Sequence, residues 1–107
     1  MGKKKSFCPA GVSVRTQEDL RALIEAVRRE GFSRPPRLTE CPRRGEFPDG
    51  VLVLRVYVGG REYLIGPGDV LDLTPLRTVL NRFHGWDRPL VEMFLADHAA
   101  ARPARAC

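Results

Sequence analysis

Between Val51 and Ile65 the chain reads VLVLRVYVGGREYLI: eight residues rich in β-branched and aromatic side chains, two glycines, then five more of the same kind. No other stretch narrows the fold as far. Gly59-Gly60 is a two-residue loop of the sort that takes positive φ at both positions, the turn whose twist matches that of paired strands. Pairing Val58 with Arg61 across it sets the register of everything upstream. Val56 then stands opposite Tyr63 and Leu54 opposite Ile65 on one face of the hairpin. Tyr57 stands opposite Glu62 and Arg55 opposite Leu64 on the other. The first face is apolar and must meet a core. The second is half polar, expected to be partly covered or to serve as an interaction surface.

The same glycines raise the question of a phosphate-cradling loop, and the spacing answers it. A dinucleotide fingerprint needs G-x-G-x-x-G between a strand and a helix, and a Walker A loop needs lysine and Ser/Thr after its glycines. Gly59-Gly60 lie between two strands. The later GPGD, residues 66–69, lacks the lysine, and Pro67 removes one N–H that an anion nest would use. These glycines are turn chemistry.

Three helices are expected. In TQED, Thr16 is placed as N-cap with Asp19 three residues on, followed by Leu20, Leu23, Ile24 and Val27 on one helical face and Gly31 as the stop. On the outer face, Arg21, Glu25 and Arg29 are spaced to pair. Thr74-Pro75 opens a second helix over 75–84, with Leu76, Val79, Leu80 and Phe83 on one side. Asp87 caps a third over 88–101, lined by Leu90, Val91, Phe94 and Leu95. The turn between the last two holds Trp86, expected as a plug between them. A DNA-reading helix pair is disfavoured because its second helix carries Glu92 and Asp97, which repel phosphate. A short strand is expected around 11–14. The order of elements makes an α+β domain over 9–101, with a basic arm over 1–8 and a tail over 102–107. At 107 residues the chain is one domain, with a modest core.

Between the first helix and the hairpin lies FSRPPRLTECPRRGEFPDG, residues 32–50, with four prolines. Pro35-Pro36 excludes helix and stiffens the chain toward polyproline II, so the segment is read as a long Pro/Arg-rich loop. Charge concentrates around it. The chain carries fifteen arginines, three lysines and a net charge of +5. Yet residues 16–101 sum to −1, because Lys3, Lys4, Lys5, Arg15, Arg102 and Arg105 sit at the ends. Within that near-neutral body, Arg28, Arg29, Arg34, Arg37, Arg43 and Arg44 face only Glu30 and Glu40 across 28–44. Guanidinium forks on a stiffened loop suit phosphate.

Catalytic and metal chemistry find less support. Zinc sites show close ligand pairs such as C-x₂-C, and Cys8, Cys41, Cys107, His84 and His98 include none. Cys41 stands among arginines that favour thiolate, but nothing in the sequence brings a base to it. Three unpaired cysteines and the absence of an apolar leader make a cytoplasmic location the expectation, with no membrane partner. The reading is therefore of a small non-enzymatic binding protein without a cofactor. It associates with nucleic acid or a nucleoprotein through the arginines of 28–44 and the Lys3–Lys5 arm. The alternative is a protein-binding adaptor or inhibitor, as in the accessory proteins of phages and mobile elements. It would dock through Arg55, Tyr57, Glu62 and Leu64 or through the Pro/Arg loop.

Overall fold

The computed structural model describes residues 11–41, 47–68 and 70–101. They form an α+β fold of two layers, with the elements β1 (Val12–Val14), α1 (Gln17–Glu30), β2 (Phe32–Glu40), β3 (Leu52–Val58), β4 (Arg61–Ile65), α2 (Thr74–Leu80) and α3 (Arg88–Ala101). The four strands make one mixed sheet in the order β1-β4-β3-β2.

The hairpin has the register that its turn dictates. Val56 pairs with Tyr63, Leu54 with Ile65, Tyr57 with Glu62 and Arg55 with Leu64. Gly59 and Gly60 have φ of +57° and +82°, the left-handed region that a two-residue hairpin turn requires. One face of this hairpin, with Val14 from the parallel neighbour β1, packs against all three helices. Leu20, Leu23, Ile24 and Val27 of α1, Leu76 and Leu80 of α2, and Val91 and Leu95 of α3 are buried there with Leu54, Val56, Val58 and Ile65. The other face carries a small second cluster in which Cys41, Phe47, Val53 and Leu64 are buried and Val51 packs at the margin.

Helix α1 keeps its sequence plan. The Asp19 N–H donates to Thr16 Oγ1 at 3.0 Å and the Arg15 N–H to Asp19 Oδ2 at 3.3 Å, so Asp19 reaches back one residue beyond the cap. Gly31 ends the helix. On its exposed face Glu25 pairs with Arg28 at 3.8 Å, a partner one position away from the expected Arg29. Trp86 is buried in the main core, the plug position its place between α2 and α3 implied. Those helices are clamped on their outer side by Arg77 Nη1 to Glu92 Oε1 at 2.7 Å, so Glu92 serves the helix pair.

Four expectations are corrected. The segment 32–50 is not a loop throughout: Phe32–Glu40 is a nine-residue strand antiparallel to β3. Proline donates no ladder hydrogen bond, so a Pro-Pro pair survives in a sheet only at an edge or a bulge, and β2 offers both. It is an edge strand, and its register slips between Phe32 and Arg34 and again between Arg34 and Arg37. Helix α2 stops at Leu80 instead of continuing to 84. The N–H groups of Arg82 and Phe83 turn back to Val79 and Leu80 in tightened i→i−3 bonds, and Phe83 leaves the helix to meet Phe32 edge-on, ring centres 4.6 Å apart. In α3, Leu90 is 45% exposed and faces away from the core that Val91 and Leu95 enter. Helix α2 also starts one residue early, with Leu73 at the cap position and the Thr74 N–H bound by Asp72.

Gly66, just past β4, is hemmed in by buried side chains. A Cβ there would lie 2.9 Å from Val53 Cγ1 and 3.0 Å from Phe47 Cδ1, both in the buried second cluster. Gly66→Ala is expected to lower the unfolding free energy by about 1–3 kcal/mol, the usual cost of overpacking. Gly68→Ala, two residues on with no neighbour closer than 3.9 Å, is the control and should change it little. Urea titration of both variants checks this, and equal midpoints would mean that the second cluster is loosely packed.

Candidate functional site

The three helices cover one face of the sheet, and the second cluster covers only part of the other. What remains of that second face is built by alternation along two paired strands. Arg55 and Tyr57 point outward from β3 because Leu54, Val56 and Val58 point inward. Across the ladder, β2 sets Arg34 beside Tyr57 and Arg37 beside Arg55. On the other side of β3, Glu62 of β4 stands opposite Tyr57. Three guanidinium groups, one phenol and one carboxylate thus share one surface.

Glu62 is its fixed point. At 2% exposure it is the one buried charged side chain among the described residues. A carboxylate held from water needs strong donors. Arg55 supplies both Nε and Nη2, a two-pronged ion pair, and the Tyr57 hydroxyl donates to the same oxygen at 3.0 Å. Arg55 and Tyr57 are therefore held in place from beneath. Arg34 lies over the Tyr57 ring at 4.6 Å and Arg55 lies 5.6 Å from it, cation–π contacts that fix the ring further. The Arg37 side chain is exposed and makes no hydrogen bond or ion pair among the described residues. Together Arg34, Arg37, Arg55 and Tyr57, with Leu38 and Thr39, line a surface hollow of about 240 Å³.

The environment also shifts Tyr57. Burial, then the hydrogen bond and negative charge of Glu62, raise its pKa above the ordinary 10.0, against a smaller opposing pull from Arg55 and Arg34. The phenol stays a donor throughout the neutral range.

The structure divides the sequence-predicted residues differently from the sequence. Arg34 and Arg37 belonged to one candidate site and Arg55, Tyr57 and Glu62 to its rival, yet β2–β3 pairing puts all five on one face. Leu64, named with the rival site, is fully buried under Phe47 and Cys41 and presents no surface. Arg28 and Arg29 end α1 in the helical layer, and Arg28 lines a different cavity with Pro75, Val79 and Phe83. Arg43, Arg44, Lys3, Lys4 and Lys5 lie outside the described residues. Arg15, which the sequence grouped with the basic arm, stacks 4.2 Å over Phe47 on the second cluster. Strand pairing puts it there: β1 runs in register with β4, Ser13 beside Leu64, so the residue two further on falls on the same side.

The Cys41 thiol is buried and donates to the Phe47 carbonyl at 3.5 Å. His98 is packed on Phe94 with Nε2 2.8 Å from the Gly66 carbonyl, and His84 is exposed. Among the described residues no three of His, Cys, Asp and Glu are grouped to hold a metal ion. No helix among them is long and apolar enough to cross a membrane.

The raised Tyr57 pKa has a testable sign. A folded-state value above the unfolded one contributes stability that is complete below pH 10 and is lost as pH rises through the folded value. In a Tyr63→Phe background, where Tyr57 is the remaining tyrosine, ultraviolet titration should place its phenolate midpoint above 10. A midpoint at or below 10 would show that Glu62 and burial do not act on it.

Comparison with models of known protein families gave no match for this chain, and comparisons with characterised proteins and with solved structures gave none either.

Proposed function

We propose that the protein is a non-enzymatic binding protein that engages nucleic acid or a nucleoprotein through the outer face of its sheet, with Arg34, Arg37 and Arg55 taking backbone phosphates. The observation that carries this reading is the placement of three guanidinium groups across two paired strands. One of them, Arg37, has no partner among the described residues. Arginine presents a planar fork of donors that matches phosphate oxygens two at a time. Glu62 neutralises part of this charge, but it is buried beneath the surface, so a ligand meets guanidinium groups and not the carboxylate. Contacts of this kind position a backbone and read little sequence. The Lys3–Lys5 arm adds sequence-independent attraction in this reading, and Arg15 extends the positive surface toward β1.

One observation favours a protein partner instead. Leu90 and Met93, one turn apart on α3, are 45% and 61% exposed and make an apolar pair on the helical layer. That surface is separate from the arginine face, so the two readings are tested apart.

Fluorescence anisotropy with generic labelled oligonucleotides across a salt series is the decisive measurement. Each phosphate contact contributes about 0.9 to the log–log salt slope on duplex and about 0.7 on a single strand. Binding with a slope of several units is expected for the unaltered protein. The double variant Arg34→Ala, Arg37→Ala should fold normally, lose about tenfold or more in affinity at low salt, and lower the slope by about 1.4–1.8. Absence of binding at about 50 mM salt would remove the nucleic-acid reading and leave the α3 pair as the surface to pursue.

A further inference from the structure

We propose, on the basis of that nucleic-acid reading, that the ligand of this face is a single strand rather than a duplex, and that it passes around the edge strand β2 from one hollow into a second. Arg34 and Arg37 line two cavities. The first, of about 240 Å³, is floored by Tyr57 and Arg55. The second, of about 410 Å³, lies where β2 meets the α2–α3 connection, with Pro35, Pro36, Trp86 and Asp87 in its walls. The two arginines therefore stand between hollows, one over the β2–β3 face and one against the end of the helical layer. Beyond the second hollow, Arg88 lies 6.0 Å from the Trp86 ring.

A ligand that uses both hollows must bend tightly round one strand of a sheet. Duplex DNA bends smoothly over about 150 base pairs, presents its phosphates on a convex rod and keeps its base faces stacked inside. A single strand turns at every nucleotide and exposes those faces. The first hollow has what an unstacked base needs. The Tyr57 ring is half-buried and held by its bond to Glu62, and Arg34 and Arg55 are placed to stack or to reach a phosphate. Bases stack on tyrosine rings and on guanidinium planes with little regard to sequence, while the charges follow the backbone. In the second hollow Asp87 is the unfavourable element, an exposed carboxylate beside the path.

The test uses the full 107-residue chain, a labelled single strand of about 12 nucleotides and the duplex of the same length, at equal salt. The single strand is expected to bind about tenfold or more tightly than the duplex. Tyr57→Ala should weaken single-strand binding by about 5- to 100-fold and leave the salt slope nearly unchanged, because the ring stacks but carries no charge. Asp87→Asn, at an exposed position away from the core, should raise single-strand affinity and leave duplex affinity as it was. This variant carries the test should Tyr57→Ala unfold. Duplex binding as tight as single-strand binding would overturn this proposal and leave the nucleic-acid reading in place. No effect of Asp87→Asn would overturn the path through the second hollow. Binding of neither form at low salt would overturn both readings together.

Discussion

Strand β3 is bonded on both sides, to β2 and to β4, and its register is the constraint on which the rest of the molecule depends. Its residues alternate between two environments that cannot be exchanged. Leu54, Val56 and Val58 fill the core under three helices, while Arg55 and Tyr57 face outward. A slip of one residue would drive a guanidinium and a phenol into that core and expose the aliphatics. The Gly59-Gly60 turn prevents the slip on one side by setting the pairing with β4. On the other side the pairing with β2 tolerates two irregularities, and these are what let Arg34 and Arg37 both reach the outer surface although they are three positions apart. In an unbroken strand, residues three apart point to opposite faces.

The outer face shows how a polar surface can be made rigid in a small domain. Glu62 at 2% exposure is a cost unless it is fully bonded, and an isolated buried carboxylate is among the least tolerated groups in a protein. Here the cost is offset by Arg55 and Tyr57, and the same bonds hold those two side chains in fixed positions. A flexible arginine must be ordered when a ligand arrives, and ordering costs about 0.5–1.5 kcal/mol per side chain. Arg55 and Tyr57 are ordered beforehand. Arg37 is not, and Arg34 is steadied only by its stack on Tyr57. The face thus combines a floor fixed from beneath with two exposed arginines at its rim, one of them stacked on Tyr57.

Much of this was legible from local grammar. The hairpin register, the face of α1, its cap and its glycine stop, and the burial of Trp86 all follow from short-range rules: turn geometry, helical periodicity, backbone hydrogen bonding at helix ends. Those rules operate within about ten residues, and there they were sufficient. They also identified Gly59-Gly60 as a hairpin turn, since that rests on which residues are adjacent in the chain. Periodicity misled where an apolar residue found a partner elsewhere. Phe83 keeps helical spacing with Leu76 and Leu80 but leaves the helix to meet Phe32. Leu90 has the spacing of a core residue and faces outward.

The state of residues 32–40 and the unity of the candidate site were decided by tertiary structure alone. A Pro-Pro pair excludes helix and a central strand, but whether it lies in a loop or on a sheet edge depends on which strand becomes outermost, and strand order is a property of the assembled sheet. With β2 at the edge, its prolines need no ladder partners, and Arg34 and Arg37 are carried onto the surface that Arg55, Tyr57 and Glu62 already occupied. By itself the sequence determined the parts, a turn, a capped helix, an apolar strand and a run of arginines, because each is set by neighbours along the chain. Only the packing of those parts decided which arginines meet, since their separations along the chain are bridged by strand pairing and not by local geometry.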